Sequence, residues 1–583
     1  MSETRNCQNC KTQFVIEPDD FSFYEKIQVP PPTWCWKCRA MRRMSFRNFR
    51  NLYNQICAAT GKKIFSMIPP SAPMPAYSRE YWWSDAWDPM EYGKEYDFSK
   101  PFFQQFKELY HAVPASSILG SNLVNSEYNL GLDLKNCYLC FDTGYSEDSA
   151  YSVSLQKSKN CVDTINCKLC EFCYWCINCT SCNKVFFSRN LNACADVWFS
   201  QDCVGCTDCF GCTNLRNKSY HIFNQPYTKE EYIKKFQEFK LDSWTGLQKA
   251  RKEAEAFWVS NPVRFRHGLK DFGCTGDYLY NVSELRNCFF SNGAQNCANL
   301  QSIIYDPIKD SMDLTSSGVG IELAYETSGS GSGINRSFFV VDSMTASDSR
   351  YIINCRVIDN LFGCVALHNK KYCILNKQYT KEEYEALVPK IIQHMNDMPY
   401  IDEKGRVYKY GEFFPPLISP YGYNETQAYE YFPIPKEEVE ALGFNWRTPD
   451  IRNYEVTKTS KDLPGAIGEA SGDIINEVIE CMHHEDNSHN KDCGANCMTA
   501  FRLTPQEVQF YKQMNVPLPR LCFNCRHIDR IHWRNSPKLY KRTCMCEGGH
   551  GHKENCPNEF ETTYSPDRPE KVYCEECYQK EVL

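Results

Sequence analysis

The sequence contains no run of eighteen apolar residues, and its first ten residues, MSETRNCQNC, are polar. A membrane-spanning helix requires a long apolar stretch, and a secretory signal requires an apolar segment near the N-terminus. The sequence predicts neither segment. We therefore expect a cytoplasmic protein with no membrane partner.

The sequence also lacks the short motifs of common catalytic sites. It has no HExxH metalloprotease motif, no nucleophile elbow, no phosphate-binding loop and no dinucleotide fingerprint. Its net charge of −7 argues against a protein whose whole surface binds nucleic acid. These absences favour a non-enzymatic protein, in which any nucleic-acid contact is confined to local patches.

Cysteine is the residue that the sequence has in excess. The 583 residues include 35 cysteines, and these occur in dense clusters rather than at even spacing. Disulfide frameworks are typical of small secreted domains, whereas clustered cysteines in an intracellular chain indicate metal sites or buried thiols.

Four cysteines near the N-terminus form two CxxC pairs that lie about 24 residues apart, and a similar set recurs near the C-terminus. Four thiolates complete a tetrahedral zinc site and leave no open coordination position, so such sites are structural. The predicted ligands of the two sites are Cys7, Cys10, Cys35 and Cys38, and Cys493, Cys497, Cys522 and Cys525.

The two cysteine modules are copies of each other. At a constant offset of 487, residues 10–57 align with residues 497–544 without a gap, and 18 of the 48 positions are identical. Both copies look like treble-clef or zinc-ribbon modules with a basic helix. The duplication predicts the same fold at both ends of the chain.

A third zinc site follows the C-terminal copy. Five cysteines compete for four ligand positions, and His550 and His552 are weaker candidates. In the N-terminal copy, Ser78 and Tyr81 occupy the positions of the last two cysteines, so the equivalent site is predicted to be lost. We expect about three structural zinc ions. The third is predicted to be bound by Cys556, Cys574, Cys577 and one further cysteine, either Cys544 or Cys546. Of these two, we select Cys544.

Each second cysteine pair precedes a helix-forming stretch with arginines on one face. Residues 1–57 carry a net charge of +4 and residues 493–546 carry +7, which leaves −18 for the rest of the chain. This layout is expected if the ends bind phosphate. Alternatively, the arginines pair with carboxylates of the protein itself or cap the helix. The candidate nucleic-acid-binding residues are Arg39, Arg43, Arg47, Arg526, Arg530 and Arg534.

Between residues 137 and 212, fourteen cysteines all fall on every third position counted from Cys137. The other positions of this register hold Ser, Thr, Val or Leu, and none is charged or aromatic. A twelve-residue repeat is nested in the pattern, and Asn or Asp often precedes the register position. So short a repeat predicts a narrow coil with small inward residues and turn formers that tolerate unusual dihedral angles. The coil is similar in geometry to the tight β-helices of beetle antifreeze proteins, but with reduced thiols.

A second, cysteine-poorer copy follows at an offset of 152, and in both copies a capping box begins a helix. We therefore predict a mainly β fold with two right-handed β-helix or solenoid segments, flanked by zinc-ribbon or treble-clef modules with short helices. The predicted domains are an N-terminal zinc module (1–60), an aromatic-rich packing region (61–130), a cysteine-ladder solenoid (131–228), a helical insertion (229–262), a second solenoid (263–380), a mixed linker with short helices (381–480) and the C-terminal zinc module with a second zinc site (481–583).

Several segments resemble a group of uncharacterised, zinc-ribbon-flanked, cysteine-rich proteins of small-genome, candidate-phyla bacteria. The resemblance covers nearly the whole chain but implies no activity, because the group has none established. The segments that carry it are residues 29–39, 82–85, 210–212, 227–232, 564–569 and 572–578.

Three functions remain open on the sequence. The first is a zinc-stabilised scaffold or adaptor that binds nucleic acid or a ribonucleoprotein through its basic modules and a protein partner through the solenoid face; Trp34, Trp36, Phe46 and Trp533 could stack on bases. The second is a carbohydrate-active β-helix enzyme that uses carboxylates such as Asp342, Asp348 and Asp359. The third is soft-metal buffering by the cysteine ladder. We favour the scaffold.

Overall fold

The computed structural model describes residues 2–303, 307–448, 454–485, 496–548 and 555–582. Most helices lie in three regions, before residue 113, between residues 229 and 260, and after residue 380, and they are separated by two long runs of strands. Within it, no helix is both long and apolar enough to cross a membrane.

The first 116 residues contain antiparallel hairpins and short helices. A proline and two aspartates in its first turn favour the start of the first helix, which ends at Gln28 in the left-handed conformation. The elements are β1 (Glu3–Asn6), β2 (Gln13–Ile16), α1 (Pro18–Ile27), α2 (Trp36–Met44), β3 (Tyr53–Ile56), β4 (Lys63–Ser66), β5 (Ala76–Tyr77), α3 (Arg79–Trp82), α4 (Phe102–Ala112) and β6 (Ala115–Ser116).

Residues 120–226 form a first ladder of parallel strands, which an antiparallel hairpin closes at its C-terminal end. The predicted period of twelve is present as the strand register, since Val162 pairs with Tyr174 and Asn183 pairs with Ala195. The strands are β7 (Gly120–Val124), β8 (Leu130–Lys135), β9 (Phe141–Glu147), β10 (Val162–Ile165), β11 (Tyr174–Ile177), β12 (Asn183–Phe186), β13 (Ala195–Trp198), β14 (Thr207–Phe210), β15 (Ser219–Ile222) and β16 (Gln225–Pro226).

Every third residue of the first ladder has a φ near +50°, and it lies directly before a cysteine-register position. Asn166 and Asn178 are examples that tolerate this left-handed conformation well. The predicted role of Asn and Asp as turn formers is therefore confirmed. Their amides also hydrogen-bond along the ladder, with 2.8 Å between Asn166 Nδ2 and Asn178 Oδ1.

The fourteen register cysteines of the first ladder are all buried in its interior. Each thiol lies near backbone carbonyls: for Cys170, Sγ is 3.4 Å from the oxygens of both Lys168 and Cys179. Burial raises the pKa of Cys203 well above the usual range of a thiol, and hydrogen bonding from Cys206 raises it further. In the described residues every cysteine is free of disulfide bonds. The interior is therefore lined by buried cysteines that form no disulfide bonds and whose sulfur atoms lie against backbone carbonyls.

Helices follow the first ladder and cover its aromatic outer side. The aromatic side chains stack one above another, as in the pair Phe187 and Phe199, whose ring centroids are 4.9 Å apart. Thr228 and Glu231 form the predicted capping box at the first of these helices. The elements are α5 (Lys229–Glu238), α6 (Trp244–Ser260) and β17 (Pro262–Arg264).

A second parallel ladder spans residues 268–378, and it is also closed by an antiparallel hairpin. Paired residues on neighbouring strands are mostly twelve positions apart, as in the first ladder. The separation is fourteen residues for the pair Ala294 and Ile308, and thirteen for the pair Met312 and Tyr325. The strands are β18 (Gly268–Phe272), β19 (Gly276–Arg286), β20 (Cys288–Asn292), β21 (Ala294–Ala298), β22 (Gln301–Ile303), β23 (Ile308–Thr315), β24 (Ile321–Glu322), β25 (Tyr325–Ser328), β26 (Ile334–Asn335), β27 (Phe338–Val341), β28 (Met344–Ser347), β29 (Arg350–Ile353), β30 (Arg356–Phe362), β31 (Lys371–Ile374) and β32 (Lys377–Gln378).

The rest of the chain packs against both ladders. Residues 381–480 supply buried aromatic side chains, including Phe413 and Phe414, to the core around the second ladder. The elements are α7 (Lys381–Asp397), β33 (Tyr400–Ile401), β34 (Val407–Tyr408), α8 (Gln427–Tyr431), α9 (Lys436–Ala441), β35 (Ile479–Glu480), α10 (Met482–Glu485), β36 (Ala500–Phe501), α11 (Pro505–Met514), α12 (Phe523–Ile531), β37 (Tyr540–Thr543), β38 (Glu559–Thr562), β39 (Lys571–Tyr573) and α13 (Glu575–Val582).

The predicted fold class, mainly β with two right-handed β-solenoids flanked by zinc modules, is wrong. The protein is mixed α/β, with parallel sheets whose outer faces are covered by helices as long as α6 and α7, each of 17 residues. The cysteine modules do not extend the ladders at their ends, because α2 packs on β23 and β25 while α12 packs on β10 and β11. The physical reason is that aromatic and acidic outward side chains of each ladder have to be buried against another layer.

His267 lies at the junction of the two ladders and the C-terminal segment. Its ring stacks on Tyr278 and is close to two carboxylates, with 3.4 Å to Asp202 of the first ladder and 3.1 Å to Asp277 of the second. Asp277 also accepts a hydrogen bond from Thr563 Oγ1. Burial by itself lowers the pKa of His267, but the two carboxylates outweigh it and raise the pKa to about 9.

We expect Cys173→Asp to lower the free energy of unfolding by about 3–5 kcal/mol, because the carboxylate has no counter-charge in the narrow interior. Cys173→Ser is the matched control and should cost about 1 kcal/mol, because serine already occupies register positions such as Ser152. Urea denaturation measures both. Equal stability of the two variants would contradict a closed interior.

We expect the stabilising effect of His267 to depend on pH. Its folded-state pKa of about 9 exceeds the ordinary value of 6.5, so the protonated ring stabilises the fold below pH 6.5. This stabilisation, about 3 kcal/mol, is lost as the pH rises from 6.5 through 9. Urea midpoints of wild type and His267→Gln at pH 6 and pH 9.5 should differ widely at the first pH and converge at the second. A gap that does not change with pH would contradict the assignment.

Candidate metal centres

Three groups of four cysteines could each hold a metal ion, and in each group the four Sγ atoms lie within 4.8 Å of one another. A tetrahedral zinc ion with bonds of about 2.3 Å requires sulfur atoms about 3.8 Å apart. The Sγ atoms of Cys10 and Cys35 are 3.7 Å apart, and those of Cys497 and Cys522 are 3.9 Å apart. The spacing therefore fits zinc without rearrangement.

The first group contains the four predicted cysteines of the N-terminal module. Cys7 follows β1, Cys10 lies in the hairpin turn, and Cys35 and Cys38 lie at the start of α2. The backbone N–H of Cys35 donates to Cys7 Sγ at 3.3 Å, as expected for a ligand that carries negative charge. Hydrogen bonding from the Cys38 thiol lowers the pKa of Cys10 to about 6, which favours a thiolate near neutral pH.

The second group differs from the predicted set in one member. Cys481 joins Cys497, Cys522 and Cys525, whereas the predicted ligand Cys493 lies outside the described residues. Cys481 follows β35 as Cys7 follows β1, and it accepts a hydrogen bond from the N–H of Cys522 at 3.2 Å. The sequence analysis missed Cys481 because fifteen residues separate it from Cys497. The signal that could have identified it is the short strand that precedes the cysteine in both copies.

The third group contains Cys544, Cys556, Cys574 and Cys577, which is the predicted choice of Cys544 over Cys546. The N–H of Cys574 donates to Cys544 Sγ at 3.2 Å, which repeats the bond seen in the other two groups. The two weaker candidates, His550 and His552, lie outside the described residues.

The N-terminal module retains the shape of the third site without its ligands. The N–H of Ser78 donates to Cys57 Sγ at 3.2 Å, so Ser78 stands where the C-terminal copy has Cys574. The Ser78 hydroxyl instead caps α3 by accepting from the N–H of Tyr81. Trp82 is buried beside this position and donates to the Pro114 carbonyl. Packing thus replaces the metal here.

The arginines of α2 lie in buried ion pairs with carboxylates of the second ladder. Arg39 Nη2 is 2.8 Å from Asp313 Oδ2, and Arg43 Nη1 is 2.9 Å from Glu326 Oε2. Burial disfavours the charged form of Arg39, but Asp313 outweighs it and raises the pKa well above its usual range. Arg47, just beyond the helix, pairs with Asp142 of the first ladder at 2.8 Å.

The arginines of α12 make the equivalent contacts with the first ladder. Asp163 accepts a hydrogen bond from Arg530 Nη1 at 2.7 Å and forms an ion pair with Arg526, whose Nε is 3.0 Å from Asp163 Oδ2. Arg526, Arg530 and Asp163 are all at most 1% exposed. Arg534 is close to Glu430, with 3.6 Å between charged atoms. The six arginines predicted to bind nucleic acid therefore face carboxylates of the protein itself, which is the alternative that the sequence left open.

The predicted base-stacking residues are also engaged inside the protein. Trp34 and Phe46 are buried, and the guanidinium of Arg42 lies over Trp34 at 4.4 Å from the ring centroid. Trp36 packs on Phe432. Trp533 packs on Trp258 and donates its Nε1 hydrogen to Glu255.

The three candidate carboxylates of the enzyme hypothesis do not converge on one site. Asp348 pairs with Arg336, and Asp359 pairs with Lys371, in each case across neighbouring rungs of the second ladder. Asp342 is close to Arg47 and Arg356, and burial raises its pKa to about 6. Among the described residues, the three four-cysteine groups are the ones whose side chains converge closely enough to hold a metal ion, and none includes a register cysteine of the first ladder.

Comparisons with known proteins identify no family for this chain. No family model matches, and no curated protein matches. Among solved structures, the chain matches a crystal structure described as a putative acetyltransferase from Desulfovibrio desulfuricans G20, with 11% identity and a TM-score of 0.10. That match covers 52% of this chain and 79% of the other. So low a TM-score carries no structural or functional argument.

Native mass spectrometry should find three zinc ions per chain, one for each four-cysteine group. Cys481→Ser should reduce the count to two, because it removes one of four ligands. Cys493→Ser is the matched control and should keep three ions. Loss of an ion from Cys493→Ser together with retention in Cys481→Ser would contradict the observed grouping, and about ten or more ions would favour metal storage.

Proposed function

We propose that this protein is a zinc-stabilised, non-enzymatic scaffold in which two metal modules clamp two parallel ladders together. The proposal is based on one observation: a helix begins at each of the first two metal groups, and its arginines form buried ion pairs with carboxylates of a ladder. Three buried carboxylates form ion pairs with the arginines of α12 and α2: Asp163, Asp313 and Glu326. We call these ion pairs the clamp.

The metal groups support a structural role for zinc. Each group supplies four thiolates, which fill a tetrahedral shell and leave no position for substrate or catalytic water. Zinc organises the turn from which α2 or α12 begins, since Cys35 and Cys522 are the N-cap residues of these helices. Metal binding and arginine docking are therefore parts of one structural unit.

Nucleic acid or a ribonucleoprotein, predicted as the partner from the charge layout, remains a prediction. Four of the six candidate arginines are buried, and the other two, Arg47 and Arg534, pair with Asp142 and Glu430. This counts against contact through these residues, so such a partner would have to be bound by other cations. A filter-binding titration with single-stranded RNA tests this partner. Affinity that falls as salt rises would support it, and no affinity at low salt would exclude it.

The clamp itself is tested with Asp163→Asn. We expect this change to lower the free energy of unfolding by about 3–5 kcal/mol, because it leaves two buried arginines without their shared counter-charge. Asp348→Asn is the matched control: it removes an exposed pair with Arg336 and should cost less than about 1 kcal/mol. Urea denaturation of zinc-loaded protein measures both changes.

A similar cost for the two variants would contradict the clamp. So would a protein that keeps its full stability after its zinc is removed with a chelator, because the helices would then dock without metal.

A further inference from the structure

One surface of the N-terminal segment carries aromatic rings that the core leaves partly uncovered. Trp83 is 48% exposed, and Tyr77, Tyr81 and Trp87 are half-buried. The ring centroids of Tyr77 lie 5.2 Å from Tyr81 and 5.5 Å from Trp87. The buried Trp82 joins Trp83 to Trp87, at 5.0 and 5.9 Å. We call these rings the aromatic surface. A contiguous patch of exposed rings indicates an interaction site.

The aromatic surface is fixed against the end of the second ladder. The ring of Trp83 stacks on His368 of that ladder, with 5.0 Å between the ring centroids. A few residues further along, the carbonyl of Pro89 accepts a hydrogen bond from Asn376 Nδ2 at 3.0 Å. The rings therefore have a defined position before a partner arrives, and this lowers the entropy cost of binding.

The same segment carries carboxylates that no cation of the protein neutralises. Residues 79–92 contain one basic residue and four acidic ones, so their net charge is −3. The basic residue, Arg79, donates to a backbone carbonyl of the first ladder at 2.9 Å. The four carboxylates are exposed, and none forms an ion pair in the described part of the chain: Glu80, Asp85, Asp88 and Glu91.

Elsewhere in the protein, an arginine lies between an aromatic ring and a carboxylate. Arg42 lies over Trp34, 4.4 Å from the ring centroid, and pairs with Glu412 at 2.8 Å. The same arrangement recurs at Arg534. The aromatic surface has the rings and the carboxylates of this arrangement, but among the described residues no arginine or lysine lies over its rings. The chemistry of the surface therefore suits a cation from another molecule.

From these observations we propose that the aromatic surface docks a lysine- and arginine-rich segment of a protein partner. Its cationic side chains lie over Trp83 and Trp87 and beside the carboxylates of Asp85 and Asp88. Charge complementarity selects this partner, because the carboxylates repel an anionic polymer and gain nothing from a neutral peptide. The proposal goes beyond the scaffold: loss of the clamp lowers the free energy of unfolding, whereas loss of this surface lowers only the affinity for the partner.

Isothermal titration of the zinc-loaded, full-length protein with a synthetic peptide tests the proposal. The probe is an eight-residue peptide in which arginine and serine alternate. We expect one-to-one binding that weakens as the salt concentration rises, because the carboxylates are exposed. The matched peptide with citrulline in place of arginine keeps the planar side chain but loses the charge, and it should bind at least tenfold more weakly. Equal binding of the two peptides, or no binding of the first, overturns the proposal.

Variants of the rings locate the site. Trp83→Leu keeps an apolar side chain and removes the ring, so it should weaken binding about two- to fivefold. Phe272→Leu, at a ring that is 84% exposed at the start of the second ladder, is the matched control and should leave the affinity unchanged. Both variants should keep the wild-type urea midpoint, which separates loss of the surface from loss of the fold.

Variants of the carboxylates test the charge. Asp85→Asn combined with Asp88→Asn should weaken binding about three- to tenfold and reduce its dependence on salt. Asp473→Asn, at an exposed carboxylate elsewhere, is the matched control and should leave the affinity unchanged. Wild-type affinity in both Trp83→Leu and the double variant would place the peptide elsewhere and overturn the proposal.

Sedimentation experiments examine the other possible occupants of the surface. We expect wild type and Trp83→Leu to sediment alike, and we expect no binding of single-stranded RNA that depends on Trp83. A wild-type oligomer that Trp83→Leu dissociates would assign the surface to a second copy of the chain. Binding of RNA that Trp83→Leu abolishes would assign it to nucleic acid. Either result overturns the proposal.

Discussion

The structure depends on buried ion pairs between arginine and carboxylate at the two surfaces where a helix meets a ladder. An uncompensated charge in such a place destabilises a fold by several kcal/mol, so neither the helix nor the ladder can be buried there without the other. Asp163 serves two arginines of α12, and Asp313 serves two of α2. Both copies of the duplicated module are therefore held on a ladder by the same kind of interaction, a buried carboxylate shared by two arginines.

Cysteine has two distinct physical roles in this protein. In the modules, four thiols converge on one point, as a metal ion requires. In the first ladder, each thiol instead lies against backbone carbonyls, as Cys170 does, and the register places it on every third residue. The difference between the roles is spatial rather than chemical, since the residue type is the same and only the backbone path decides whether four sulfur atoms meet.

Local features of this protein could be predicted from its sequence, and distant ones could not. The spacing of Cys7, Cys10, Cys35 and Cys38 predicts one four-cysteine group, and the repeat of twelve predicts the strand register, because both depend on neighbouring residues. The partners of Arg39 and Arg530 lie 274 and 367 residues away, so no local pattern reveals them. The prediction of the fold class was wrong for the same reason. The twelve-residue repeat describes the strands of one ladder, but it carries no information about the helices that cover the outer face of that ladder.

The two modules dock crosswise, since α2 at the start of the chain packs on the second ladder and α12 near its end packs on the first. During synthesis, Arg39 leaves the ribosome long before Asp313 is made, and Asp163 has no arginine of α12 to pair with until residues 526–530 have emerged. Neither ladder can therefore bury its carboxylates as an independent domain while its own residues are being made, unlike the domain-by-domain folding that is common in large proteins. A chain cut before residue 526 would leave Asp163 without these counter-charges.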